Sequence, residues 1–141
     1  MKHLHAFLAA IALLFAASAA RADDAAEIRT LLHGMFDKPD AALVVEPVTV
    51  EDGFAIAGWV QGPMGGRAFL RTHDGKWMLV LCAGDEIRSA KALAESGVPV
   101  ATAEALAAAV AEAEKAVPQE TLAQFASFGG IVMMDDHAAH K

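Results

Sequence analysis

The fold is decided by residues 51–85, which read EDGFAIAGWVQGPMGGRAFLRTHDGKWMLVLCAGD. Asp52-Gly53 and Asp74-Gly75 each stand between two strand-like runs, and both dipeptides suit the positive backbone angles of a tight hairpin turn. The pattern predicts strands at about residues 43–50, 54–61, 67–73 and 76–83, with a looser link over 62–66. Because such short links force neighbouring strands to be antiparallel, the sequence predicts a four-stranded antiparallel meander.

Helical patterns flank this predicted sheet. An N-terminal helix has apolar residues at helical spacing between Ile28 and Phe36, and Asp23 or Asp24 can cap it. Three helices follow the strands: one opens at residues 84–86, the next is capped by Thr102, and the last begins at Pro118. The order predicts an α+β fold with helices against one face of a curved sheet, of the cystatin-like or nuclear-transport-factor-like kind.

The first 22 residues have the features of a secretory signal peptide. Lys2 precedes an apolar stretch that is too short to span a bilayer comfortably, and Ala20-Arg21-Ala22 provides a small-x-small cleavage pattern. We therefore predict a signal peptide over 1–22, a single α+β domain over 23–128 and a Met/His-rich tail over 129–141. The mature protein is expected in the periplasm, without a membrane span.

Charge and cysteine content exclude one class of partner and one kind of cross-link. The chain of 141 residues has a net charge of −7; removal of Lys2 and Arg21 leaves nine Lys and Arg against 18 Asp and Glu, a net charge of −9. Nucleic acid is a poor partner for such a chain, because phosphate neutralisation needs a basic face. A single cysteine, Cys82, excludes an internal disulfide.

Catalysis has weak support in the sequence. Cys82 lies in an apolar strand, where its thiol stays protonated and packs in the core. Arg71, His73 and Asp74 lie at a predicted hairpin tip, which favours a solvated turn over a polar pocket. We predict that the protein is not an enzyme, and a small hydrolase or isomerase using His73 with Asp74 or Arg71 is kept as an alternative.

The chain ends GGIVMMDDHAAHK, residues 129–141, and this tail predicts a metal site. Thioether sulfur selects Cu(I), imidazole accepts both copper ions and zinc, and Asp135 and Asp136 add oxygen that suits Cu(II) or Zn. Methionine also needs no deprotonation and cannot be consumed by disulfide formation. The predicted ligands are Met133, Met134, His137 and His140.

Two further residues are candidates to complete this site, Met64 and His73. Met64 lies in a glycine-rich loop that has little core to fill, whereas Met35 and Met78 are expected in the core. A plainer alternative is that 131–133 form a last strand of the sheet, which leaves the rest of the tail incidental.

Three stretches together resemble a known family. They are Ala57-Gly58-Trp59-Val60-Gln61-Gly62, Gly65-Gly66-Arg67-Ala68, and Gly75-Lys76-Trp77 continued by Val80-Leu81-Cys82-Ala83-Gly84-Asp85. With the signal peptide and the Met/His end, they resemble the periplasmic copper uptake system-associated proteins of Gram-negative bacteria. The resemblance implies a periplasmic role beside copper-import components, and assigns no ligand residues.

The leading hypothesis is therefore a periplasmic copper-binding accessory protein in copper uptake or delivery, which binds Cu(I) and meets other periplasmic copper-handling proteins. The alternative is a non-enzymatic binding module whose sheet holds a partner protein or small ligand. The oligomeric state, including a homodimer, stays open.

Overall fold

A computed structural model describes residues 2–134, with side chains from residue 19 onward. The elements follow in the order α1 (Lys2–Phe36), β1 (Leu43–Glu51), β2 (Phe54–Gln61), β3 (Met64–His73), β4 (Lys76–Ala83), a 3-10 turn (Asp85–Arg88), α2 (Ala90–Glu95), α3 (Val100–Glu114), α4 (Gln119–Ala126) and β5 (Ile131–Met133). The predicted α+β class, with an N-terminal helix, an antiparallel meander and three later helices, is confirmed.

The sheet has five strands in the order β1-β2-β3-β4-β5, one more than predicted. The additional strand is 131–133, which pairs antiparallel with β4. Met134 extends this pairing, since its backbone N–H donates to the carbonyl of Val80 at 2.8 Å. β4 lies between β3 and β5 and is therefore an interior strand. This position agrees with its apolar residues on both faces. The first residues of the predicted tail therefore belong to the sheet.

The two hairpin turns form as predicted. Asp52 and Gly53 have φ of 46° and 79°, and Asp74 and Gly75 have φ of 50° and 74°. Two consecutive positive φ values define the turn type whose twist matches that of the flanking strands. The link between β2 and β3 is tighter than predicted, because β3 already begins at Met64.

Helices cover both faces of the sheet, whereas the sequence predicted helices on one face. Neighbouring residues of a strand point to opposite faces, so Ala68 packs in a cluster with Leu32 of α1 while Phe69 packs in a cluster with Leu106 of α3. We call these clusters the α1 core and the α3 core. A bulge in β4, where Phe69 pairs with Leu81 but Leu70 pairs with Leu79, leaves Val80 as the extra residue.

Three helix starts differ from the predictions. The helix expected to open at residues 84–86 is a 3-10 turn there, and α2 begins only at Ala90, where the side chain of Ser89 caps it by accepting from the N–H of Ala92. α1 begins at Lys2 and continues through the predicted cleavage site, so Asp24 does not cap it; its Oδ1 accepts a hydrogen bond from Trp77 Nε1 at 3.1 Å. α3 begins at Val100, after Pro99, so Thr102 lies inside the helix. In the part of the chain that the structure describes, no helix has both the length and the apolar character to span a membrane.

Candidate functional site

A cavity of about 200 Å³ lies between the end of α1 and the sheet. Three of the residues that line it carry sulfur, although they come from separate elements: Met64 begins β3, Cys82 lies in β4, and Met134 follows β5. The remaining lining residues are Leu32, Phe36, Leu43, Trp59, Gln61, Ala68 and Phe128. The cavity is thus mainly apolar, and its three soft donor side chains come from separate parts of the chain.

Gln61 holds the end of α1 over this cavity. Its Nε2 donates hydrogen bonds to the carbonyls of Phe36 and Ala41, each at 2.8 Å. Phe36 is the last residue of α1, so its carbonyl has no partner within the helix. The side chain of Gln61 therefore supplies the missing donor and positions Phe36 against the sheet.

Trp59 and Phe128 form an aromatic wall. Their ring centroids lie 5.9 Å apart with planes at 80°, an edge-to-face contact. This contact depends on Gly66, since a Cβ at that position would lie 3.0 Å from Trp59 Cζ2 and from Phe128 Cδ2. Gly66, which the sequence placed in a loose link, therefore lies in β3 and allows this close packing.

The indole nitrogen of Trp59 is buried and has no hydrogen-bond partner among the described residues. Buried donors are nearly always paired, so an unpaired one in a cavity wall indicates a position where an acceptor can be gained. This is the polar feature that distinguishes the cavity from an ordinary packing defect.

Cys82 is 5% exposed and belongs to the α1 core, which confirms the predicted core cysteine. Burial raises the pKa of its thiol to about 11, and the indole N–H of Trp59 acts in the opposite direction, lowering the pKa. Trp59 Nε1 makes no hydrogen bond with another described residue, so its contact with the thiol falls short of hydrogen-bond geometry. Because its pKa is raised, the thiol is protonated and unreactive at neutral pH.

Met133 and Met134 lie on opposite faces of the sheet. Met133 pairs with Leu81, a residue of the α3 core, and its side chain is 46% exposed. Met134 follows on the other face, where it packs against the α1 core and lines the cavity. The two adjacent thioethers are thus separated by the sheet, while His137 and His140 lie outside the described residues.

The two candidates to complete the site are also separated. Met64 is at the first position of β3 and His73 is at the last, so at about 3.4 Å per residue they stand about 30 Å apart. His73 Nε2 lies 3.4 Å from Asp74 Oδ2, and both side chains are exposed at the β3–β4 turn. Met64 joins the cavity and His73 does not.

The remaining methionines lie away from the core. Met35 is 51% exposed and Met78 is 37% exposed, so the prediction that both are core residues is wrong. Met35 is exposed on α1, and Met78 pairs with exposed Arg71 near the β3–β4 turn. Neither residue lines the cavity.

In the described part of the chain, no three His, Cys, Asp or Glu side chains are placed to hold a metal ion. The soft donors around the cavity differ in kind, since two of them are thioethers. Comparisons with protein-family models, with curated proteins and with solved structures each returned no match. The resemblance to copper uptake system-associated proteins therefore stays a prediction.

Sequence reasoning missed Phe36, Trp59 and Cys82 as parts of one site. Register could have placed Met64 near Gln61, because a two-residue turn at 62–63 pairs them directly. That Cys82 and Met134 line one cavity depends on β5 joining β4, which three residues of apolar sequence do not specify.

Proposed function

We propose that this protein binds Cu(I) in the periplasm, as an accessory protein of copper uptake or delivery. Met64 and Met134 supply thioether sulfur, and His137 and His140 supply imidazole. The observation that carries the proposal is that Met64 and Met134, 70 positions apart in the chain, line the same cavity. Met133 is left out, because it lies on the opposite face of the sheet.

The exposure of Met64 at the cavity supports this proposal. Methionine is usually a core residue that fills irregular gaps. Here the side chain of Met64 is 60% exposed, although it borders an apolar cavity where it could be buried. A thioether at the mouth of a cavity contributes little packing energy and is accessible to an incoming ion. Its soft sulfur suits Cu(I) better than zinc.

The histidines are within reach of the cavity by chain length alone. His137 is three residues beyond Met134, and three residues span at most about 11 Å. A Cu(I) ion held by Met134 can therefore acquire the imidazole of His137 without displacing β5. Thioether and imidazole are weak ligands, which suits a carrier that has to release its ion to a periplasmic partner.

The test compares matched Met→Leu variants, which conserve volume and commonly cost less than about 1.5 kcal/mol of stability. Met134→Leu is paired with Met133→Leu, and Met64→Leu with Met35→Leu. Cu(I) affinity is measured on the mature chain by competition with a colorimetric chelator under anaerobic, reducing conditions. Loss of even an outer-shell partner often lowers metal affinity about 10–100-fold. We therefore expect at least about a tenfold loss for Met134→Leu and Met64→Leu, and none for their controls. Equal affinities throughout the series would exclude this site.

The apolar lining also favours a second candidate, a binding module for a small aromatic or aliphatic ligand whose acceptor atom pairs with the free N–H of Trp59. Ala68→Leu places a larger side chain in the wall of the cavity and so reduces the space for a ligand. It should therefore abolish the quenching of tryptophan fluorescence by such a compound. Quenching that survives Ala68→Leu would place the ligand elsewhere.

A further inference from the structure

Cys82 provides the most informative side chain of the cavity. It lies opposite Ala68 on the neighbouring strand and faces the α1 core, the same side of the sheet as Met134. A buried cysteine is by default a small apolar residue. This one, however, shares a cavity with two thioethers and with an indole N–H that has no partner in the part of the chain that the structure describes.

We propose that Cys82 is a third sulfur ligand, so that Cys82, Met64 and Met134 together hold one Cu(I) ion inside the cavity. The inference rests on the proposed function and adds to it Cys82, whose thiolate gives the set of ligands one negative charge. The ligand class is a soft monovalent cation, Cu(I) or its analogue Ag(I).

Charge balance supports the thiolate. A monovalent cation held by two neutral thioethers in an apolar cavity would be an unpaired buried charge, which is costly. One thiolate makes the ion and its ligands neutral overall. The apolar lining from Leu32, Phe36 and Phe128, unfavourable for a bare cation, then becomes compatible with the loaded site.

The indole N–H of Trp59 also supports the thiolate, because it has no hydrogen-bond partner among residues 2–134. Sulfur is a weak acceptor as a thiol and a much better one when it carries negative charge. Trp59 and Cys82 line the same cavity, so on loading the indole N–H gains an acceptor in the cysteine sulfur.

Loading is a ligand exchange without electron transfer. The S–H bond of Cys82 breaks, an S–Cu bond forms, the proton leaves to solvent, and copper remains Cu(I) throughout. Until then, burial keeps the sulfur as a thiol and shields it from oxidants in an oxidising compartment. This explains how a single cysteine can serve where paired ones would be oxidised to a disulfide.

The experiment measures Cu(I) affinity and proton release on the same full mature chain. Wild type, Cys82→Ser, Cys82→Ala and the control Met78→Leu, on the same strand but outside the cavity, are titrated anaerobically in weak buffer near pH 8. Thioethers release no proton, and imidazoles are already neutral there. We expect wild type and Met78→Leu to release about one proton per ion bound. Both Cys82 variants should release none and bind at least about tenfold more weakly.

The outcomes separate the two proposals. Cu(I) binding with no proton release in wild type excludes Cys82 as a ligand and leaves the thioether site standing; this measurement needs no variant, so a misfolded Cys82→Ser cannot obscure it. Unchanged affinity in both Cys82 variants leads to the same conclusion. Failure of wild type to bind Cu(I) at all overturns the proposed function and this inference together.

Discussion

Arg67 and Glu114, 47 positions apart, form a two-pronged ion pair with almost no exposure to solvent. Arg67 Nε lies 2.7 Å from Glu114 Oε1 and Nη2 lies 3.1 Å from Oε2, while the two side chains are 1% and 5% exposed. Arg67 Nη1 donates to the carbonyl oxygen of Gly84 and to Asp85 Oδ1, and the guanidinium lies 5.3 Å from the Phe125 ring centroid. The pair ties β3 to α3 on the face opposite the cavity.

Removal of Glu114 should therefore destabilise the fold strongly. Glu114→Ala leaves the guanidinium of Arg67 buried with one partner fewer, and breaking such a pair typically costs about 3–5 kcal/mol. Urea denaturation measures the free energy of unfolding. Glu112→Ala removes an exposed carboxylate that pairs with Lys115, the residue after the helix, and should change this free energy little. Similar losses for the two variants would mean that burial does not set the strength of the Arg67 pair.

Gly58 should not tolerate a side chain. A Cβ there would lie 2.6 Å from Phe125 Cζ and 2.7 Å from the carbonyl oxygen of Glu46, and the backbone oxygen cannot rotate away. Overpacking of this kind costs about 1–3 kcal/mol, so Gly58→Ala should lower the melting temperature clearly. Gly129→Ala, which has open space around its Cβ, is the matched control. Equal melting temperatures would argue against this packing of α4 on β2.

Imidazole ligation should give Cu(I) binding a pH dependence that disappears when the chain ends after Met134. Histidine is protonated below a pKa of about 6.5, and a protonated ring cannot bind metal. The full chain should therefore bind more tightly than the shortened chain at pH 7.5, and the ratio of their affinities should approach one near pH 5. The shortened chain keeps Met134 and β5, which separates the imidazoles from the thioethers. A ratio that stays constant with pH would remove His137 and His140 from the site.

Cys82 should make the stability of the metal-free protein fall at alkaline pH. Its pKa is raised from 9.0 to about 11 by burial, so above pH 9 the unfolded chain loses this proton before the folded one does. The stabilisation is fully present below pH 9.0 and is lost as the pH rises through about 11, with an upper limit of about 2–3 kcal/mol. Lysines titrate in the same window, so the measured quantity is the difference between wild type and Cys82→Ala. A difference that is flat from pH 8 to 11 would show that the thiol is better solvated than its burial indicates.

Local chemistry accounts for the parts of the fold that the sequence predicted correctly. Asp52-Gly53 and Asp74-Gly75 determine two hairpins because their positive φ values are set within the dipeptide itself. Cys82 was placed correctly in the core, since every neighbour from Trp77 to Ala83 except Met78 is buried. Errors came where a local pattern had more than one tertiary outcome. Met35 and Met78 are apolar residues at plausible core positions, yet both side chains are exposed.

The α+β class, the antiparallel meander and the presence of soft donors follow from the amino-acid sequence, because hairpin turns and residue chemistry are properties of a few neighbouring positions. Which of the donors meet depends on how the strands pack in three dimensions. The short strand at 131–133 pairs with β4 in a register that directs Met134 towards Met64 and Cys82 and turns Met133 away. The reason is the two-residue period of a strand: a shift of one position exchanges the two faces, and packing across the whole sheet selects between them.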